Sequence, residues 1–168
     1  EETRLGNETQ RILSEYAAEG KTNRGLSNKN FGNLYAGSFD PATQTIIYNP
    51  NVIAYHGVTG IDAEGVGEKS PEAYVKFGTW LHGLRAMAHT LRKPEYRNKN
   101  LKEITDKFSR THKDSYAPNV VSLSGNVFKM EEQIDTHNDE VLKLLMTSMI
   151  KNEVGHDLSP NDLIIDKA

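Results

Sequence analysis

Apolar residues recur at helical spacing in several stretches of the chain, and the intervals between them set most of the expected elements. Leu5, Ile12, Leu13 and Tyr16 are loosely helical across residues 2 to 18, and Gly20 is placed to stop the helix. From Lys21 to Pro71 the character changes to glycine, asparagine and short apolar couplets such as "NLYAG" and "TIIYNP". These predict turns and brief strands. Glycines cluster in "GVTGIDAEGVGE", residues 57 to 68, which lacks the Lys-Ser/Thr ending of a phosphate-binding loop and is expected to be a mobile loop. "AYVKF" then alternates like a short strand and leads into a helix with Thr79 as its N-cap. On the wheel of that helix Trp80, Leu81, Leu84, Met87, Ala88 and Leu91 share one side, while His82, Arg85, His89 and Arg92 share the other.

Further helices are expected from Asn100 to Ser109, with Leu101, Ile104 and Phe108 inward, and around Asn119 to Leu123. The longest should begin near Asp135 or Thr136 and end at Gly155, and "SPNDLIIDKA" opens with the Ser-Pro start of a last one. The tally is about six helices against two or three small strands, a mostly α member of the α+β class with a small β and loop region.

In the long C-terminal helix, Leu142, Leu145, Met146, Met149 and Ile150 form an apolar stripe. At about 100° per residue Glu153 falls in the middle of that stripe, away from Glu140, Lys143 and Lys151. Two readings follow. A carboxyl held there is partly dry and sits at the negative end of the helix dipole, and both effects favour its protonated form, as a general acid requires. Alternatively its stem covers apolar neighbours and its head stands in water.

Composition narrows the classes. The chain has 168 residues, the size of one domain, so a single compact unit over residues 1 to 168 is expected, with residues 1 to 20 as a peripheral helix. A net charge of −3 with mixed signs argues against a protein that coats nucleic acid. With no cysteine there is no disulfide framework, thiol nucleophile or thiolate metal site. The apolar run from Val141 to Ile150 is too short to span a bilayer, no secretory signal is visible, and a soluble protein is expected. A first residue of Glu1 in place of methionine suits a processed product or a piece of something larger.

Other chemistry has little to stand on. The six histidines include no HExxH pair, and His82 and His89 share the polar side of their helix with arginines, so neither metal nor cofactor is expected. His112 and Asp114 form an isolated H-x-D, His156 reads as a helix cap, and no G-x-S-x-G elbow is present. Tyr35, Tyr48 and Tyr55 can stack on sugar rings, whereas Trp80 lies in the core stripe and reads as packing.

Four blocks in order carry a resemblance: "NRGLSNKNFGNLYAG", "GVTGID", "YVKFGTWLHGLRAMAHTLR" and "LMTSMIKNEVG". Spanning about residues 23 to 156, they resemble a family of tailed-phage virion proteins related to lysozyme-like transglycosylases, with a more distant echo of glucosaminidases. That family has an Asn-rich "RGIRNNNPGN" block, a "G-(I/L)-R-A-M-A-x-x-L" helix and a late helix ending in "ENG". Here the proline is replaced by Phe31 and the ending is "EVG". The order of the blocks suits a circularly permuted lysozyme-like fold.

The resemblance implies that Glu153 is the catalytic acid and that Asn30, Phe31, Gly32 and Asn33 line the saccharide cleft, with Asn33 the better substrate contact and Gly32 shaping the backbone. Asparagines also form turns and tolerate left-handed backbone, so each has a structural reading beside that one. Tyr35, Asp62 and Glu64 complete the expected substrate-binding set; Asp62, Glu64, Glu68 and Asp40 are also readable as solvated loop acids. The implied substrate is the glycan strand of peptidoglycan, the partners are other virion proteins, and the setting is a phage particle acting on the bacterial envelope. Lytic transglycosylation needs one acid, because a substituent of the sugar closes onto its own anomeric carbon; hydrolysis is the near alternative. A structural or ejection-associated virion protein without activity and a zinc peptidase are the competing classes.

Overall fold

The structure, a computed structural model, describes residues 2–160 and residue 163. The chain, read above as one domain, packs as two compact units, Glu1–Ala86 and Met87–Ala168. Among the described residues it is a mixed α+β protein with seven α-helices, two of them a single turn, and one four-stranded sheet. The expected helix at "SPNDLIIDKA" lies largely outside the described residues.

The first unit holds α1 (Glu2–Ala18), α2 (Arg24–Ser27), β1 (Tyr35–Asp40), β2 (Thr45–Tyr48), α3 (Pro50–Ile53), β3 (Val58–Asp62) and β4 (Glu72–Phe77). The sheet runs β2-β1-β4-β3 with every neighbouring pair antiparallel. In β4, Ala73, Val75 and Phe77 are buried while Glu72, Tyr74 and Lys76 are not, the alternation that "AYVKF" announced. The β1–β2 hairpin closes through Asp40, whose carboxylate accepts the Ala42 N–H at 3.0 Å and the Thr43 hydroxyl at 3.1 Å. This acid is a turn former.

Part of the glycine-rich stretch departs from the expected loop, since residues 58 to 62 form an edge strand paired to β4, while residues 63 to 68 are turn and bend. Its glycines answer to geometry. Gly57 has φ +84° and lies so close to His82 that a Cβ would collide with the ring, and the pairing shifts register between Val58 and Gly60.

α1 covers the range expected, burying Leu5 and Thr9. Glu2, at its start, reaches 78 residues along the chain, where its carboxylate accepts the backbone N–H groups of Trp80 and Leu81 at 2.9 and 3.0 Å. That satisfies free donors at the N-terminus of α4 (Trp80–Leu91), beside Thr79, whose hydroxyl accepts the His82 N–H at 3.1 Å. The unit boundary falls within this helix. Trp80 is buried against Phe31, with ring centroids 5.7 Å apart, and so is packing as expected.

The second unit holds the rest of α4, a 3₁₀ turn at Pro94–Tyr96, α5 (Leu101–Phe108), α6 (Lys113–Leu123) and α7 (Asp139–Val154). α5 has a full capping box between Asn100 and Glu103 and buries Leu101, Ile104, Thr105 and Phe108. α6 is longer than expected. Its start lies ahead of Pro118, which the helix accommodates internally; Tyr116, Ala117 and Val120 are buried, and that packing offsets the missing N–H.

α7 begins later than expected. Asn138 is its N-cap, accepting from the Glu140 and Val141 N–H groups at 3.1 and 3.2 Å. The preceding residues are held elsewhere. Asn100 and Gln133 form an isolated antiparallel bridge, Ile134 N–H bonds Lys99 O at 3.0 Å, and Arg92 ties Thr136 O at 3.2 Å and Asp139 at 2.5 Å.

Candidate functional site

Glu153 occupies the last turn of α7 in the second unit. The helix is buried from Leu145 to Ile150 without a break, Thr147 and Ser148 included, so the stripe read from the sequence is in fact a nearly enclosed segment. Thr147 and Ser148 tolerate this by donating to Leu144 O at 3.0 and 2.9 Å. Glu153 itself is half-buried. Two residues on, Gly155 ends the helix with φ +72°, a left-handed cap that glycine adopts without strain, and its N–H bonds Lys151 O at 3.0 Å. His156 is buried just past that cap.

The remaining expected site residues lie in the first unit. Asn30 is fully enclosed, and its amide is occupied by backbone: Nδ2 donates to Leu34 O at 3.1 Å and Val75 O at 3.0 Å, and Oδ1 accepts Leu34 N–H at 2.8 Å. Phe31 is equally enclosed. Neither side chain lines a surface, which corrects their placement in a saccharide cleft; they fix the turn into β1. Asn33 is half-buried with φ 50°, and the other left-handed residue of this turn is Lys29 at φ 54°, so the backbone shape expected of Gly32 resides in its neighbours.

Asp62 is not a solvated acid. It is 8% exposed, with Oδ2 accepting Arg24 Nε–H and Asn28 Nδ2–H, each at 2.9 Å, and Oδ1 accepting the Glu64 N–H at 3.1 Å. Burial alone would push this carboxyl up, but the hydrogen bonds from Arg24, Asn28 and the Glu64 backbone outweigh it and bring it from 3.8 to about 2. The same hydrogen bond raises Arg24, against its own partial burial. Asp62 is therefore a fixed anion near neutrality and does not serve as a proton donor. Glu64 contributes its backbone here while its side chain is exposed, as is that of Glu68.

The Arg24 guanidinium stands 5.1 Å over the Tyr74 ring, and Tyr74 pairs across strands with Tyr35, ring centroids 5.5 Å apart. One buried terminal nitrogen of Arg24 has no hydrogen-bond partner among the described residues. Arg24, Asn28 and Tyr74 were missed in the sequence. The available signal was an arginine directly after the N-cap Asn23 at the head of the Asn-Gly stretch.

Among the histidines, His82 Nδ1 lies 2.7 Å from the Thr79 hydroxyl, His89 is exposed, and His112 takes a left-handed conformation at the start of α6. No group of three or more His, Cys, Asp or Glu side chains among the described residues could hold a metal ion, and no helix among them is long and apolar enough to cross a membrane. Compared with known protein families and with curated proteins, the chain matches none of them.

Proposed function

We propose that the protein is a lysozyme-like, peptidoglycan-cleaving glycosidase of a phage particle, with Glu153 as its general acid. The observation that carries this reading is the half-buried position of Glu153 in the last turn of an enclosed helix, two residues before a left-handed glycine. A carboxyl partly removed from water at the negative end of a helix holds its proton more readily than a solvated one. It can then protonate the leaving oxygen as the glycosidic bond breaks. The block resemblance at both ends of residues 23 to 156 supports the same assignment.

Hydrolysis calls for a second carboxylate to activate water or to trap the sugar, whereas lytic transglycosylation, in which the sugar's own hydroxyl closes the ring, needs one acid and is the reaction we favour. Released anhydro-muropeptides from purified cell walls, seen by mass spectrometry, test it. Wild-type protein should yield them with EDTA present, and Glu153→Gln, folded by circular dichroism, should not.

A second reading, a non-catalytic virion protein of the same fold, is favoured by the enclosure of Asn30 and Phe31. Absence of turnover by folded wild-type protein supports it. Release of amines that EDTA abolishes would replace both with a peptidase.

A further inference from the structure

The second unit carries a cavity of about 430 Å³ lined by residues 97–98 and 133–137. Arg97, Asn98, Gln133, Asp135 and His137 are all exposed around it, above a floor of buried Ile134 and Thr136. Its walls are fixed. Gln133 bridges Asn100, Ile134 N–H bonds Lys99 O at 3.0 Å, and the largely buried Arg92 holds Thr136 O from beneath at 3.2 Å. Among the described residues the side chains of Arg97, Asn98, Gln133 and His137 make no hydrogen bond or ion pair, and Asp135 uses only one oxygen, accepting the His137 N–H at 3.0 Å. Five polar side chains thus meet at a depression with donors and acceptors unused.

The lining selects among ligand classes. Ile134 is the one apolar side chain, and no aromatic ring is present, so neither an apolar group nor a nucleobase is served. A phosphate would face the Asp135 carboxylate, and the nearby N-terminal N–H groups of α7 are already taken by Asn138. A metal would find only Asp135 and His137. A peptide strand would need free backbone edges, whereas residues 99–100 and 133–134 bond each other. What remains is a ligand rich in hydroxyls, each both donor and acceptor, for which amide, carboxylate and guanidinium groups offer paired bonds. The volume, low in the range of about 300–1,000 Å³ usual for small-ligand sites, admits one or two sugar rings and excludes a polymer segment.

We infer that this depression is a saccharide-binding site. The inference stands apart from the catalytic reading, since a virion protein without activity could use such a site equally. The test is NMR titration of the full chain with N,N′-diacetylchitobiose and with maltose, and in parallel with inorganic phosphate and with the dipeptide Ala-Ala. Either sugar should shift the amides of residues 97–98 and 133–137, and Arg97→Ala and Gln133→Ala should each weaken binding about tenfold. Both side chains are exposed, so the thermal midpoint should not move. Preference for phosphate or for Ala-Ala, shifts confined to other residues, or no shift with either sugar would overturn the assignment.

Discussion

Replacing Asn30 by leucine separates two roles that the residue could have. Leucine keeps the branched shape of asparagine but is larger, so no cavity opens and some overpacking adds to the effect of the lost amide. Leu34 N–H loses the Asn30 Oδ1 acceptor at 2.8 Å and Val75 O loses its donor at 3.0 Å, whereas Leu34 O keeps the Val75 N–H at 3.1 Å. Two buried backbone groups are left wanting, each at about 1–3 kcal/mol, for a total of about 2–6 kcal/mol. That is a large fraction of a typical stability of about 5–15 kcal/mol. Urea unfolding followed by far-ultraviolet circular dichroism reads it as a lower midpoint at unchanged slope. A residue that served only to touch substrate would leave stability within about 0.5 kcal/mol. A measured loss under about 1 kcal/mol would refute the assignment of Asn30 to the framework.

Asp62→Asn should destabilise the protein at neutral pH by about 2 kcal/mol, the equivalent of a carboxyl lowered from 3.8 to about 2. Because the folded-state value is depressed, that stability is complete above 3.8 and disappears as pH falls through about 2. Unfolding curves of wild type and variant should therefore converge in acid, and a constant gap would exclude the ionised carboxylate as the cause. Arg92→Met should cost about 2–3 kcal/mol, since it leaves Thr136 O and Asp139 without their charged partner, and amide exchange at residues 133–138 should quicken; unchanged exchange there would show that Arg92 does not hold the segment. Gly155→Ala should lose about 1 kcal/mol through its left-handed φ of +72°, while Gly155→Asn loses less, both by thermal unfolding; equal losses would point to packing instead of backbone strain.

Periodicity carried much of the fold. α1, α4, α5 and β4 lie where the 3.6- and 2-residue spacings put them, because each buries one face and the sequence must repeat at the period of that face. Capping signals were equally local: Thr79, Asn100 and Gly155 act within a few residues of themselves. Where a distant partner decides the outcome, the sequence was silent or misleading. The glycines of residues 57 to 68 read as mobility, yet pairing with β4 makes a strand of residues 58 to 62. The helix expected around Asn119 to Leu123 starts earlier, because packing carries α6 across Pro118, and the start of α7 waits until Asn138 because Lys99 and Arg92 hold the residues before it.

The same division runs through the site residues. Glu153 could be placed on its stripe from spacing alone, since a helix fixes the direction of its side chains. Asn30 and Asp62 could not. Nothing in a list of residue types says that an amide will bridge Leu34 and Val75, or that a carboxylate will meet a guanidinium 38 residues away. By itself the sequence determined the helices with one apolar face and the caps that end them, which are matters of neighbours along the chain. Only the tertiary structure decided which polar groups are enclosed and which stand open, because burial and ionisation depend on what the rest of the fold brings alongside.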